Sequence, residues 1–200
     1  MSFPAPAIAA VAAVALITFG CSTDSATGPQ EEAFSTASAR IANAPAPATP
    51  AARYEVDFLK DMIDHHAMAV EMGEMCLDKN LLHAELAELC ASIVQVQSEE
   101  ISKMQNWLQS WYGIQYEPEM KQGSMRQMEK LDSLDGAEFE IAFMEMMIKH
   151  HSKAIKEGRQ CIDRAYHEPV IDACEDIVAS QTAEIETMES WLCQWYGMCS

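Results

Sequence analysis

The chain has 200 residues, enough for one domain of ordinary size or two small ones. It carries 31 acidic against 13 basic residues, a formal net charge of −18 at pH 7. A field of that sign repels nucleic acid and anionic membrane surfaces and concentrates cations, which argues against a polyanion-binding role.

Residues 1–21 read MSFPAPAIAAVAAVALITFGC. The apolar, small-residue run over 7–19 is too short to span a bilayer comfortably and sits like the core of a signal peptide. It ends in Gly20-Cys21, as bacterial lipoprotein signals do, although Thr18 stands where Leu is usual and the amino terminus is the only positive charge. The expectation is export to the periplasm or the outer face of a bacterial membrane. Cys21 is the expected lipidation site, so the membrane is touched only through an N-terminal lipid. Residues 22–53 are Ala, Ser, Thr and Pro with scattered acids. Such a segment buries too little apolar surface to fold and reads as a flexible tether. The folded domain is expected over 54–200.

Within that domain the chain repeats itself. Segment 54–113 ends SEEISKMQNWLQSWYG and segment 138–197 ends TAEIETMESWLCQWYG. Phe58, Met62, Ile63, His65, His66, Ala69, Gly73 and Cys76 match Phe143, Met147, Ile148, His150, His151, Ala154, Gly158 and Cys161. Apolar residues recur at three and four, so each unit reads as two helices. Gly113 and Gly197 suit helix C-termini, and Pro169 suits a first helical turn. The connection 114–137 holds Pro118 and Gly136, and its middle is compatible with a short helix. Two units are too few for a solenoid. The predicted fold is all-α, a ferritin-like four-helix bundle made from two tandem helical hairpins with a crossover connection.

Setting Cys21 aside leaves six cysteines, an even number in an exported chain. Cys76 and Cys90 flank the first hairpin turn, and Cys161 and Cys174 flank the second. Antiparallel helices bring such positions together, so these are the expected disulfides. Cys193 and Cys199 remain by elimination. Thiolate metal ligation is the rival, but there is no C-x-x-C and no cysteine close in sequence to a histidine.

Four of the six histidines form two His-His pairs. Residues three and four apart share a helix face, so Met62 can approach His65 or His66, and Met147 can approach His150 or His151. Thioether with imidazole is a ligand set for a soft cation, Cu(I) above all, and imidazole also suits Cu(II). Positions polar in one copy are expected to face solvent. Met68, Met72 and Met75 align with Lys153, Glu157 and Gln160, which places them with His65 on an outer face. Met146 aligns with Asp61 and forms a shorter outer pair with His150. Met62, His66, Met147 and His151 fall on the inner face. For Met104 and Met188 core filling competes with ligation. Glu100 and Glu184 recur four residues before them and are candidates for a bundle-centre site. That raises a di-iron alternative using His66, His151, Glu100 and Glu184. Di-iron bundles, however, use Glu-x-x-His motifs. Here Met62 and Met147 stand where the carboxylate would be. No haem, phosphate-loop or nucleophile-elbow motif is present.

The stretches DFLKDMIDHHAMAVEM with EEISKMQNWL, and EFEIAFMEMMIKHHSKAI with AEIETMESWL, resemble the family called domain of unknown function 305. That family includes exported copper-binding proteins of the CopM type with a ferritin-like bundle. The resemblance covers both halves and implies four helices and metal binding through Met and His. The hairpin cysteines and Lys153 depart from the pattern, which questions equal metal loading of the halves. The reading is an exported copper-binding protein, not an enzyme, whose partners are metal ions and another copper protein. A ferritin-like di-metal oxidase and a metal-free, disulfide-stapled interaction domain are the alternatives.

Overall fold

The computed structural model describes residues 48–199. The expected signal segment, Cys21 and nearly all of the tether lie outside the described residues. Five helices follow one another: α1 Pro50–Asp78, α2 Ala84–Tyr112, α3 Gln122–Asp132, α4 Gly136–Arg164 and α5 Glu168–Tyr196. The four long helices match the two predicted hairpins, and α3 is the short helix of the crossover.

Helix α1 starts inside the segment expected to be tether. Thr49 is its N-cap, with the hydroxyl accepting the Ala52 N–H at 3.1 Å, and Pro50 follows in the first turn. A hydroxyl acceptor and a proline pre-set at helical φ are together sufficient to nucleate the turn there. At the other ends, Gly113 and Gly197 adopt φ of 67° and 68°. That left-handed conformation lets the Ile114 N–H reach the Leu108 carbonyl and the Met198 N–H reach Leu192, both at 3.0 Å.

Helix α1 packs along α2 and α4 along α5, and the two hairpins meet chiefly through α1 and α4. The core divides in two. One cluster joins the C-terminal half of α1 (Ala69, Met72, Cys76) to the N-terminal half of α4 (Phe139, Phe143, Met144, Met147). The other joins Phe58, Leu59, Met62 and Ile63 of α1 to Ala154 and Cys161 of α4. Helices α1 and α4 are therefore antiparallel, related by a pseudo-twofold axis near their midpoints. Between the clusters lies a layer of buried polar side chains: His65, His66, Gln97, His150, His151 and Gln181. Met128 and Leu131 of α3 add to the first cluster. No helix among the described residues is long and apolar enough to cross a membrane.

Both expected hairpin disulfides form, Cys76–Cys90 and Cys161–Cys174, and the structure joins the two remaining cysteines as Cys193–Cys199. Beside the first two, the duplicated glycines allow close helix contact. A Cβ on Gly73 would stand 2.7 Å from Val94 Cγ2 and 3.1 Å from the Cys90 carbonyl oxygen. Gly73→Ala is expected to destabilise the fold by about 1–3 kcal/mol despite alanine's better helix propensity, as a lowered urea midpoint.

Candidate metal centre

The pseudo-twofold brings His65 of α1 onto His150 of α4. Their rings stack with centroids 3.6 Å apart. Both are buried, and all four of their ring nitrogens lack a hydrogen-bond partner. Burial first, and the surrounding imidazoles next, push both below the ordinary histidine range, His150 down to about 3. Both rings are therefore neutral at physiological pH, each with a lone pair available to a cation.

The pair borders a cavity of about 310 Å³, also lined by Asp61, Met68, Met120, Met146 and Lys153. The antiparallel crossing sorts these residues. Met68 lies three residues after His65 and Met146 four before His150, so they fall on the same side of the pair, and both pack against the first core cluster. Asp61 and Lys153 occupy the equivalent places on the other side. The two thioethers belong to different halves of the chain and line the same cavity.

The expected outer line of His65, Met68, Met72 and Met75 does not exist as a solvated face. His65 is 7% exposed and Met72 is 0% exposed, packed in the first cluster. Comparison of the repeats misplaced Met72 because α3 contributes Met128 and Leu131 to its cluster, while Glu157 at the opposite end has no such cover among the described residues. Met68 is half-buried in the histidine cavity. Met75 lies apart from it, in an open groove with Glu71, Glu74 and Asp78. Met146 and His150, the other expected outer pair, are half-buried and buried.

The inner residues lie where expected. Met62, Met147, His66 and His151 are fully buried. Met104 and Met188 fill the second and first clusters respectively. Glu100 does not reach across the bundle; its carboxylate pairs with His66 Nε2 of its own hairpin at 2.7 Å. Glu184 pairs likewise with His151 at 2.6 Å. The other ring nitrogen, Nδ1, is buried and unpartnered in both rings. Carboxylates orient metal-binding imidazoles in this way. Among the described residues no three His, Cys, Asp or Glu side chains gather as a metal-holding group. The convergence is of imidazoles with thioethers, the donor set of a soft cation.

Sequence reasoning missed a second duplicated constellation. Glu55, fully buried on α1, accepts the Tyr166 and His167 N–H groups at 2.7 and 2.8 Å, His167 Nδ1 at 2.6 Å and the Tyr112 hydroxyl at 2.7 Å. Glu140 on α4 does the same for the Leu82 and His83 N–H groups, His83 Nδ1 and the Tyr196 hydroxyl. Each carboxylate thus binds the interhelical turn of the opposite hairpin. His167 stacks on Trp111 and His83 on Trp195 at 3.9 and 3.8 Å. The recurrence of Glu and His at matching repeat positions was the available signal.

Among solved structures, the chain is similar to CopM in its Cu(I)-bound form, with 29% identity over 72% of this chain and 98% of that one and a TM-score of 0.64. The Cu(II)-bound form of CopM matches at 28% identity over 71% and 97%, with a TM-score of 0.64. A DUF305 protein from Streptomyces coelicolor matches at 26% identity over 70% and 91%, with a TM-score of 0.62. A search of curated proteins returned no match. The profile of the family "Domain of unknown function (DUF305)" spans residues 55–192, which include both His-His pairs and both hairpins. On that match across the whole bundle, the chain belongs to the DUF305 family.

Proposed function

We propose that the protein is an exported, lipid-anchored copper-binding protein that takes Cu(I) as cargo at the His65–His150 pair, with Met68 and Met146 as thioether donors. It sequesters the ion or passes it to another copper protein, and it is not an enzyme. One observation carries the reading: two neutral, buried histidines from opposite halves stack with every ring nitrogen unpartnered, beside a cavity lined by methionine. Burying four unpartnered polar atoms opposes folding, and a soft cation would take up one lone pair from each ring.

The ligand chemistry fits copper. Glu100 and Glu184 are held by histidines, and Asp64 is held by Tyr116 and the Glu119 backbone; the imidazoles and thioethers are the soft donors of the cavity, beside the carboxylates of Asp61 and Glu119. The imidazoles also admit Cu(II). The similar CopM has been solved with Cu(I), Cu(II) and silver, and the Streptomyces coelicolor relative is described as secreted. Both support the reading.

Anaerobic Cu(I) titration against a competing chelator tests it. His65→Leu/His150→Leu is expected to weaken Cu(I) binding by about 100-fold or more. Equal affinity of variant and parent would sink the proposal. Uptake of two Fe(II) with O2 consumption would move the case to the di-metal oxidase.

A further inference from the structure

One wall of the histidine cavity is not built by the duplicated helices. It comes from the segment 114–121 between α2 and α3, for which the second hairpin has no described counterpart. This segment is fastened to α1 at Asp64, the residue immediately before His65. The Tyr116 hydroxyl donates to both Asp64 oxygens, at 3.0 and 3.1 Å, and the Glu119 N–H donates to Oδ1 at 2.8 Å. Gln105 Nε2 holds the Tyr116 carbonyl at 2.9 Å, and the Lys60 ammonium lies 5.6 Å from the Tyr116 ring centroid. The residue that follows this latch is Met120. It is half-buried and lines the same cavity as His65, His150, Met68 and Met146.

Resting on the copper reading above, we propose that Met120 is a further thioether ligand of the cargo ion, carried into the site by a strap latched to Asp64. The chemistry matches: a soft cation prefers sulfur to the water or carboxylate otherwise available at the cavity mouth. The placement differs in kind from the other four donors. Those are fixed on helices whose movement would disrupt the core. Met120 sits on non-helical chain held by a few hydrogen bonds, so it can leave the ion while the other donors stay in place. That gives the site one removable ligand and a route for ligand exchange with an acceptor protein.

The test uses the protein with ¹³C-methyl-labelled methionine, titrated with Ag(I) and, anaerobically, with Cu(I). The methyl signals of Met68, Met120 and Met146 are expected to shift on loading, while those of Met104 and Met188 stay in place. Met120→Leu is expected to weaken binding about tenfold with the other two shifts retained. Asp64→Asn is expected to speed release to a chelator several-fold. A Met120 methyl that stays still at saturation, with Met120→Leu binding like the parent, would make Met120 a wall residue and overturn the proposal. An unchanged release rate in Asp64→Asn would overturn the latch. If no methyl responds and no ion is taken up, the copper reading falls and this inference falls with it.

Discussion

Glu140→Ala is expected to lower the free energy of unfolding by about 3–5 kcal/mol, seen as a large drop in urea midpoint. One buried carboxylate serves four donors: two backbone N–H groups, the His83 ring and the Tyr196 hydroxyl. Removing it strips all four of their acceptor at a half-buried turn, and an unsatisfied buried group costs about 1–3 kcal/mol. Glu55→Ala should behave alike, because Glu55 holds the turn of the second hairpin as Glu140 holds that of the first. Since both bonds cross between hairpins, these variants should loosen the contact that brings His65 onto His150. The same site predicts acid sensitivity. Burial pushes the Glu140 carboxyl up, but the hydrogen bonds from Tyr196, His83 and the backbone outweigh it and leave it below the usual carboxylate range. A folded-state value below the unfolded one means that the unfolded chain protonates first as pH falls. The contribution is therefore complete above about pH 4.3 and lost below it.

His65→Leu/His150→Leu is expected to do the opposite to the metal-free protein and stabilise it by about 1–3 kcal/mol while abolishing the proposed site. Apolar side chains replace four unpartnered polar atoms at similar volume, which is neutral to favourable in a core. The pH profile gives a sharper readout. Both histidines are held neutral in the folded state, with His150 down to about 3, while in the unfolded chain they protonate near pH 6.5. Their contribution is complete above about pH 6.5 and lost as pH falls, at about 1.4 kcal/mol per unit for each ring. The metal-free parent should lose about 4 kcal/mol between neutral pH and pH 5 from these two groups. Urea midpoints across that range check it: the double variant should lose less stability than the parent by about that amount.

Much of the fold was legible because it depends on local spacing and on repetition. Apolar residues at three and four mark the four long helices, terminal glycines mark two of their ends, and cysteines flanking each hairpin turn can only meet if the helices return antiparallel. The start of α1 at Pro50 was not read, because composition hid one capping threonine in an Ala/Pro-rich stretch. The site was legible in its residue types but not in its grouping. Comparing the repeats assumes that both halves meet the same surroundings, and α3 covers one of them only. Hence Met72, aligned with a glutamate, is core.

By itself the sequence determined the helices, their duplication, the two hairpin disulfides and the pool of soft donors, which follow from periodicity, pairing and chemistry along the chain, and its motifs carried the resemblance to the family. Only the tertiary structure decided which donors meet. The antiparallel crossing of α1 and α4 sets His65 on His150 and Met68 on the side of Met146, and it leaves Glu100 and Glu184 to their own hairpins. The strap brings in Met120, and reciprocal carboxylates lock the halves together. The physical reason is that helical spacing specifies which residues share a face. It does not specify what that face will be laid against, and in this bundle the opposing half supplies the other half of the site.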